Sequence, residues 1–174
     1  FVAFARPRSG TEVREITSEG VDIMLALDVS SSMKTEDFKP HNRLYVAKEE
    51  IKKFVQKRLN DRIGLVVFAR HSFTQCPLTV DYDVLLRFID GVEFGLIEDG
   101  TAIGMALANA VNRLRESEAG SKVIVLLTDG DNNAGEIDPI TAAGLSAAFD
   151  IRVYTIAAGR PGNAMVPVQD PLFG

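Results

Sequence analysis

Cysteine is almost absent from this chain. Cys76 is the single one in 174 residues, which excludes an internal disulfide and any cysteine-based zinc centre. The compartment stays open, because a chain of this size needs no disulfide to fold. No apolar run is long enough to span a bilayer, and neither an internal repeat nor a low-complexity linker interrupts the chain. No G-x-x-x-x-G-K-[ST] loop exists, and Gly100-Thr101-Ala102-Ile103-Gly104 lacks the lysine that would meet a phosphate, which argues against a nucleotide site. Positive charge is also in short supply. Nineteen Lys and Arg against 24 Asp and Glu leave a net charge of -5. That balance disfavours nucleic acid, which rewards clustered basic residues. It does not exclude anionic ligands, since a bound metal reverses the local sign.

What remains is an ordinary globular composition, 46% hydrophobic and 25% charged, sufficient for one domain with a sizeable core. Short Val- and Ile-rich runs recur at Val21 to Leu27 (carrying one acid), Ile63 to Ala69, Val123 to Thr128 and Ile151 to Ala157. Such runs are expected of central strands covered on both faces. Helical periodicity lies between them. Leu44, Ala47, Ile51, Phe54 and Val55 mark a helix from Arg43 to Leu59. Asp81 is placed to cap a short helix with Val84, Leu85, Phe88 and Ile89 inward. A third helix runs from Ala102 to Arg115, and Asp138-Pro139 opens a fourth. His71 to Cys76 reads as a short antiparallel edge strand. Strands separated by helices imply right-handed crossovers. The expected fold class is α/β: a doubly wound, mostly parallel central sheet with helices on both faces and one short antiparallel edge strand. Residues 20–174 form the domain. Residues 1–19 are a separate N-terminal segment whose Phe1-Val2-Ala3-Phe4-Ala5 and Arg6-Pro7-Arg8 fit either a short edge strand or frayed end or the stub of a transmembrane anchor. The Gly- and Pro-containing stretch from Arg160 to Gly174 reads as a truncated end.

In a sheet of this kind, ligands bind beyond the carboxyl ends of the strands, where the connections reverse direction. Asp28, Ser30 and Ser32 form a D-x-S-x-S string at the exit of the first strand. One carboxylate and two hydroxyls are hard oxygen donors, the kind that suit Mg²⁺ or Mn²⁺, although Ser-rich turns also close their own backbone hydrogen bonds. Glu98-Asp99-Gly100-Thr101 offers the Thr101 hydroxyl, either as a site group or as a helix cap. Thr128-Asp129-Gly130-Asp131 offers Asp129, either as a site group or as part of a turn. Asp28 and Asp129 each follow a strand and are expected on one rim.

In this order the three segments resemble the metal-ion-dependent adhesion site of von Willebrand factor type A domains, with Asp28, Ser30, Ser32, Thr101 and Asp129 at the five matching positions. The resemblance spans about Val21 to Gly159 and implies a Rossmann-like fold. It implies a bound Mg²⁺, with Mn²⁺ or Ca²⁺ as alternatives, and a protein partner presenting an Asp or Glu to the metal. Ser30 and Ser32 would bind directly. Thr101 would bind directly or through water, and Asp28 and Asp129 mainly through waters and hydrogen bonds. Ser31, where many relatives carry Gly, is a non-ligating position. A narrower resemblance, carried by Phe68-Ala69, Gln75 to Asp81, Gly100 to Gly104, Thr128 to Gly135 and Ala5-Arg6-Pro7, is to bacterial Bat-type aerotolerance proteins. It implies an inner-membrane anchor outside the domain and a periplasmic location. The partners it implies are a MoxR-type AAA+ ATPase system and other Bat-type proteins. Specificity would then lie in the rim: Met33 to His41, Arg70 to Phe73, Phe94 to Asp99 and Asn132 to Glu136.

Enzymatic readings are weaker. His71, Cys76 and Asp81 or Asp83 would make a thiol hydrolase only if base and thiol came within hydrogen-bond reach. A phosphotransferase built on Asp28 would need a second acid where Ser30 stands. The expectation is a binding module that is not an enzyme; the alternatives are a thiol or metal-dependent hydrolase and a structural domain whose metal site stays empty.

Overall fold

The computed structural model describes residues 20–130 and 132–159. The expectations for residues 1–19 and 160–174 lie outside them. The order is β1 (Asp22–Asp28), a 3-10 turn (Ser31–Lys34), α1 (Arg43–Gln56), β2 (Arg62–Phe68), β3 (Ser72–Thr79), α2 (Tyr82–Asp90), α3 (Ile103–Leu114), β4 (Lys122–Thr128), α4 (Pro139–Ala148) and β5 (Ile151–Ala157). The strands form one sheet in the order β3-β2-β1-β4-β5. β1 pairs in parallel with β2 and β4, and β4 with β5, while β3 runs antiparallel to β2 at the edge. This is the mostly parallel α/β arrangement that the alternating pattern implies.

Alternation along β1 separates two cores. Ile23, Leu25 and Leu27 meet Leu44, Ile51 and Val55 of α1 and Leu85 and Ile89 of α2. Met24 faces Leu107, Ala110, Val111 and Leu114 of α3 and Ala142 of α4. All seven residues of β1 are buried, which explains a continuous apolar run in place of an alternating one. The acid inside that run is satisfied at the far end of the sheet: Asp22 accepts from Arg62 Nε at 2.7 Å and from the Ser117 hydroxyl.

Four local expectations are corrected. Ile151–Ala157 forms a strand, but it is an edge strand paired only with β4 among the described strands, and only Ile151 is buried. β3 continues past Cys76 to Thr79, through irregular pairing near Leu65. α1 ends at Gln56 instead of Leu59, because the chain turns there towards β2 and leaves Leu59 88% exposed. Phe88 lies at the margin of the α2 stripe and is exposed, whereas Leu85 and Ile89 carry the contact. Asp81 and Asp138 cap α2 and α4 as expected. No helix among the described residues is long and apolar enough to cross a membrane.

From β1 the chain passes through α1 to β2 on one side, while β4 lies on the other side of β1. The connections therefore diverge between β1 and β4, and the crevice at their carboxyl ends is where a ligand site is expected.

Candidate metal centre

Asp28 is the last residue of β1 and is fully buried at this crevice. Its Oδ1 accepts the Ser30 N–H at 2.9 Å and its Oδ2 accepts the Thr128 hydroxyl at 2.6 Å. Burial pushes its carboxyl above the ordinary range; the Ser30 and Thr128 hydrogen bonds pull the other way, and the nearby Asp129 charge adds to the rise. With both oxygens engaged and no exposure, Asp28 is badly placed to act as a phosphoryl acceptor.

The tight 3-10 turn after β1 brings Ser30 and Ser32 together. Ser30 occupies the cap position without using its side chain as a cap, and its Oγ lies 3.0 Å from Ser32 Oγ. Ser32 Oγ in turn donates to Asp129 Oδ1 at 2.7 Å. Oxygens in adjacent positions around Mg²⁺ lie about 3 Å apart when each sits about 2.1 Å from the ion. Three oxygens from two distant segments thus already stand close to that spacing, and every donor is hard. The residues fit a small divalent cation. They do so with hydroxyls in place of a carboxylate cage: among the described residues no group of three or more His, Cys, Asp or Glu is placed to hold a metal.

Thr101 is buried beside them. Its expected alternative, helix capping, is corrected: α3 starts after Ala102 with no cap from its own chain end, and Asn132 Oδ1 accepts the Ile103 N–H at 2.8 Å instead. Asn133 Oδ1 accepts the Thr101 N–H at 2.8 Å, and the Thr101 carbonyl accepts from the N–H groups of Asn133 and Ala134. The Thr101 hydroxyl lies 3.9 Å from where a Cβ on Gly130 would stand, which puts it against the Asp129-Gly130 turn. Gly100 makes this approach possible. Its φ is +139°, and a Cβ there would meet Ala134 and Arg70 at 3.2 and 3.3 Å.

Sequence reasoning missed several residues that organise the site. Asp99 takes the Ser31 N–H at 2.8 Å and the Ser31 hydroxyl at 2.7 Å, tying the first loop to the second; these bonds hold its carboxyl below the usual range. Arg43, the first residue of α1, donates from Nη1 to Asp129 Oδ2 at 2.5 Å and from Nη2 to Asp37 at 2.8 Å. The local sequence gives Arg43 only a weak mark: a cation in the first turn of a helix opposes the helix dipole, a small cost that a carboxylate partner offsets.

The rim residues divide. Phe94 packs partly buried against the core, with the Lys34 ammonium 5.5 Å above its ring. Arg70 pairs with Glu98 at 3.2 Å, and His71 is exposed. The thiol reading finds no support in the geometry. Cys76 is buried in mid-strand, its thiol pushed up by desolvation, while His71 lies in the exposed turn before β3.

Residues 22–166 match the von Willebrand factor type A domain. The crystal structure of an aerotolerance-related membrane protein from Bacteroides fragilis is 39% identical with a TM-score of 0.79, covering 86% of this chain and 73% of that one. The conserved hypothetical protein BatB from Bacteroides thetaiotaomicron is 37% identical with a TM-score of 0.79, covering 86% and 72%. An uncharacterized protein of Borreliella burgdorferi is 36% identical over 142 residues, which are 82% of this chain and 42% of that protein. The chain thus spans less than half of that relative's length. A five-stranded, mostly parallel sheet with a hydroxyl-rich crevice between β1 and β4, together with a match over most of the chain, leads to one assignment: this chain belongs to the von Willebrand factor type A domain family.

Proposed function

We propose that this domain is a cation-dependent protein-binding module in which Asp28, Ser30, Ser32, Thr101 and Asp129 hold one divalent ion. Mg²⁺ is the expected occupant, with Mn²⁺ or Ca²⁺ as alternatives. The observation that carries this reading is the Ser30–Ser32–Asp129 chain of oxygens, 3.0 and 2.7 Å apart, at the crevice between β1 and β4. When bound, the cation supplies an electrophilic position to the carboxylate of a partner Asp or Glu. Ser30 and Ser32 contribute neutral oxygens, which leave much of the ion's charge uncompensated and open to that partner. Asp28, tied to Ser30 and Thr128, supplies buried negative charge and fixes the turn. Asn132, Asn133 and Asp99 hold the Thr101 loop against the other two. In the wider protein the domain would serve a membrane-anchored bacterial complex related to aerotolerance and would face the periplasm. A MoxR-type ATPase system and other Bat-type proteins are its candidate partners. The similarity to an aerotolerance-related membrane protein supports that setting.

Calorimetric titration with Mg²⁺ and Mn²⁺ tests the site. One ion per chain is expected for the unaltered protein, none for Ser30→Ala, and weakened binding for Thr101→Ala. Equal binding in all three proteins, or none in the first, overturns the reading. A pull-down with the membrane-anchored chain, with and without chelator, tests the partner.

A further inference from the structure

Asp129 faces two ways. Its Oδ1 accepts from Ser32 inside the hydroxyl cluster, and its Oδ2 is taken by Arg43 Nη1 at 2.5 Å. The same guanidinium turns its other edge to Asp37, with Nε 2.9 and 3.0 Å from the two oxygens and Nη2 2.8 Å from Oδ2. Arg43 is therefore clamped between two carboxylates. All three side chains are largely enclosed, at 13% exposure for Arg43, 7% for Asp37 and 1% for Asp129. The fork is also fixed in place by what surrounds it. The Arg43 N–H donates to the Thr35 carbonyl at 3.0 Å. Gly159, just beyond β5, lies against the guanidinium so closely that a Cβ there would stand 3.4 Å from both Cζ and Nε.

We propose that Arg43 is a built-in counter-cation that leaves Asp129 only Oδ1, the oxygen facing the hydroxyl cluster, to offer a cation and thereby biases the site against Ca²⁺. The inference rests on the proposed cation site and adds a determinant of its selectivity. Arg43 is a positioning residue, since it acts through Asp129. Its chemistry is suited to this. A guanidinium fork bridges two carboxylates at once and is never deprotonated, whereas an ammonium is a point charge. Mg²⁺ accepts six oxygens at short distance and is content with one oxygen from a carboxylate. Ca²⁺ takes six to eight and gains from a carboxylate that offers both. With Oδ2 held by Arg43, Asp129 cannot offer both, and the positive charge also lowers the attraction for any divalent ion.

The two members of the clamp give changes of opposite sign. Arg43→Gln frees Asp129 Oδ2 and removes a positive charge, so Ca²⁺ affinity rises by on the order of tenfold, with a smaller rise for Mg²⁺ and a higher Ca²⁺-to-Mg²⁺ ratio. Asp37→Asn keeps Arg43 on Asp129 but removes the negative charge that offsets the guanidinium on its other side, so both affinities fall. The measurement is calorimetric titration of each ion into the unaltered chain and both variants, with circular dichroism melts verifying folding. An unchanged Ca²⁺-to-Mg²⁺ ratio in a folded Arg43→Gln protein overturns the role of Arg43 while leaving the cation site standing. Should Arg43→Gln fail to fold, Asp37→Asn decides, and affinities at or above those of the unaltered chain overturn the proposal. If the unaltered chain binds neither ion, the site and this inference fall together.

Discussion

Replacing Asp28 with Asn should stabilise the metal-free domain and at the same time abolish its response to divalent ions. Asp28 is fully buried, and desolvation raises its pKa above the ordinary carboxylate value. The sign follows from linkage. The folded state binds this proton more tightly than the unfolded chain, so the ionised group costs stability. The cost grows as pH rises from the unfolded pKa through the folded one, and it disappears below both. Asn has nearly the same shape. Its oxygen can accept the Ser30 N–H, and its amide can donate to Thr128 Oγ1 once that hydroxyl turns, so both hydrogen bonds of Asp28 have replacements. Removing a buried charge while keeping its partners is expected to contribute about 1 kcal/mol, or about 2–4 °C in Tm for a domain of this size. On the proposed reading, a divalent ion is expected to reverse the order. At roughly a hundred times its Kd it adds about 2.7 kcal/mol to the unaltered protein and nothing to Asp28→Asn. Differential scanning calorimetry of both proteins at neutral pH, once in chelator and once in Mg²⁺, reads both effects. A variant that melts below the unaltered protein in chelator refutes the account of an energetically costly carboxylate. Equal Mg²⁺ stabilisation of the two refutes a metal held through Asp28.

Three further outcomes follow from packing and burial. Gly104→Ala should lose about 2–3 kcal/mol in urea unfolding, because its Cβ would lie 1.9 Å from the Ile137 carbonyl oxygen where α3 meets the loop before α4. Gly144→Ala, with open space around it in α4, should gain up to about 1 kcal/mol. Cys76, buried and with its thiol pushed up by desolvation, should react with iodoacetamide at least about tenfold more slowly in the native chain than in denaturant; native labelling as fast as denatured labelling would contradict its burial.

The sheet was legible because each central strand carries its burial in consecutive residues. Ile63 to Phe68 and Val123 to Thr128 announce themselves by composition, and Asp28 and Asp129 by following such runs; Ile151 to Ala157 has the same composition but forms an edge strand in which only Ile151 is buried. The oxygen cluster was legible for the same reason, since strand order alone places both acids at one rim. What escaped is polar and remote in sequence. Arg43 and Asp129 are 86 positions apart, and Asn132 reaches back 29 positions to the start of α3. Such pairs leave no periodicity, and each residue looks locally like an ordinary surface group. Thr101 carried the opposite ambiguity. A hydroxyl before a helix usually serves that helix, and only the arrival of Asn132 from another loop frees it. Phe88 and Leu59 failed differently: Phe88 sits one step off the stripe that packing selects, and Leu59 keeps the spacing of the α1 stripe but lies beyond the point where that helix ends.

β1 is paired along its whole length with β2, from Asp22 to Asp28, and from Asp22 to Leu27 with β4. Neither edge of that strand can fray before its neighbours do, so its amide protons exchange with solvent only through the largest openings of the domain. Asp28 is the final residue of this strand, and Ser30 and Ser32 follow within one turn of it. The oxygen cluster therefore starts at the end of a strand that is protected by neighbours on both sides.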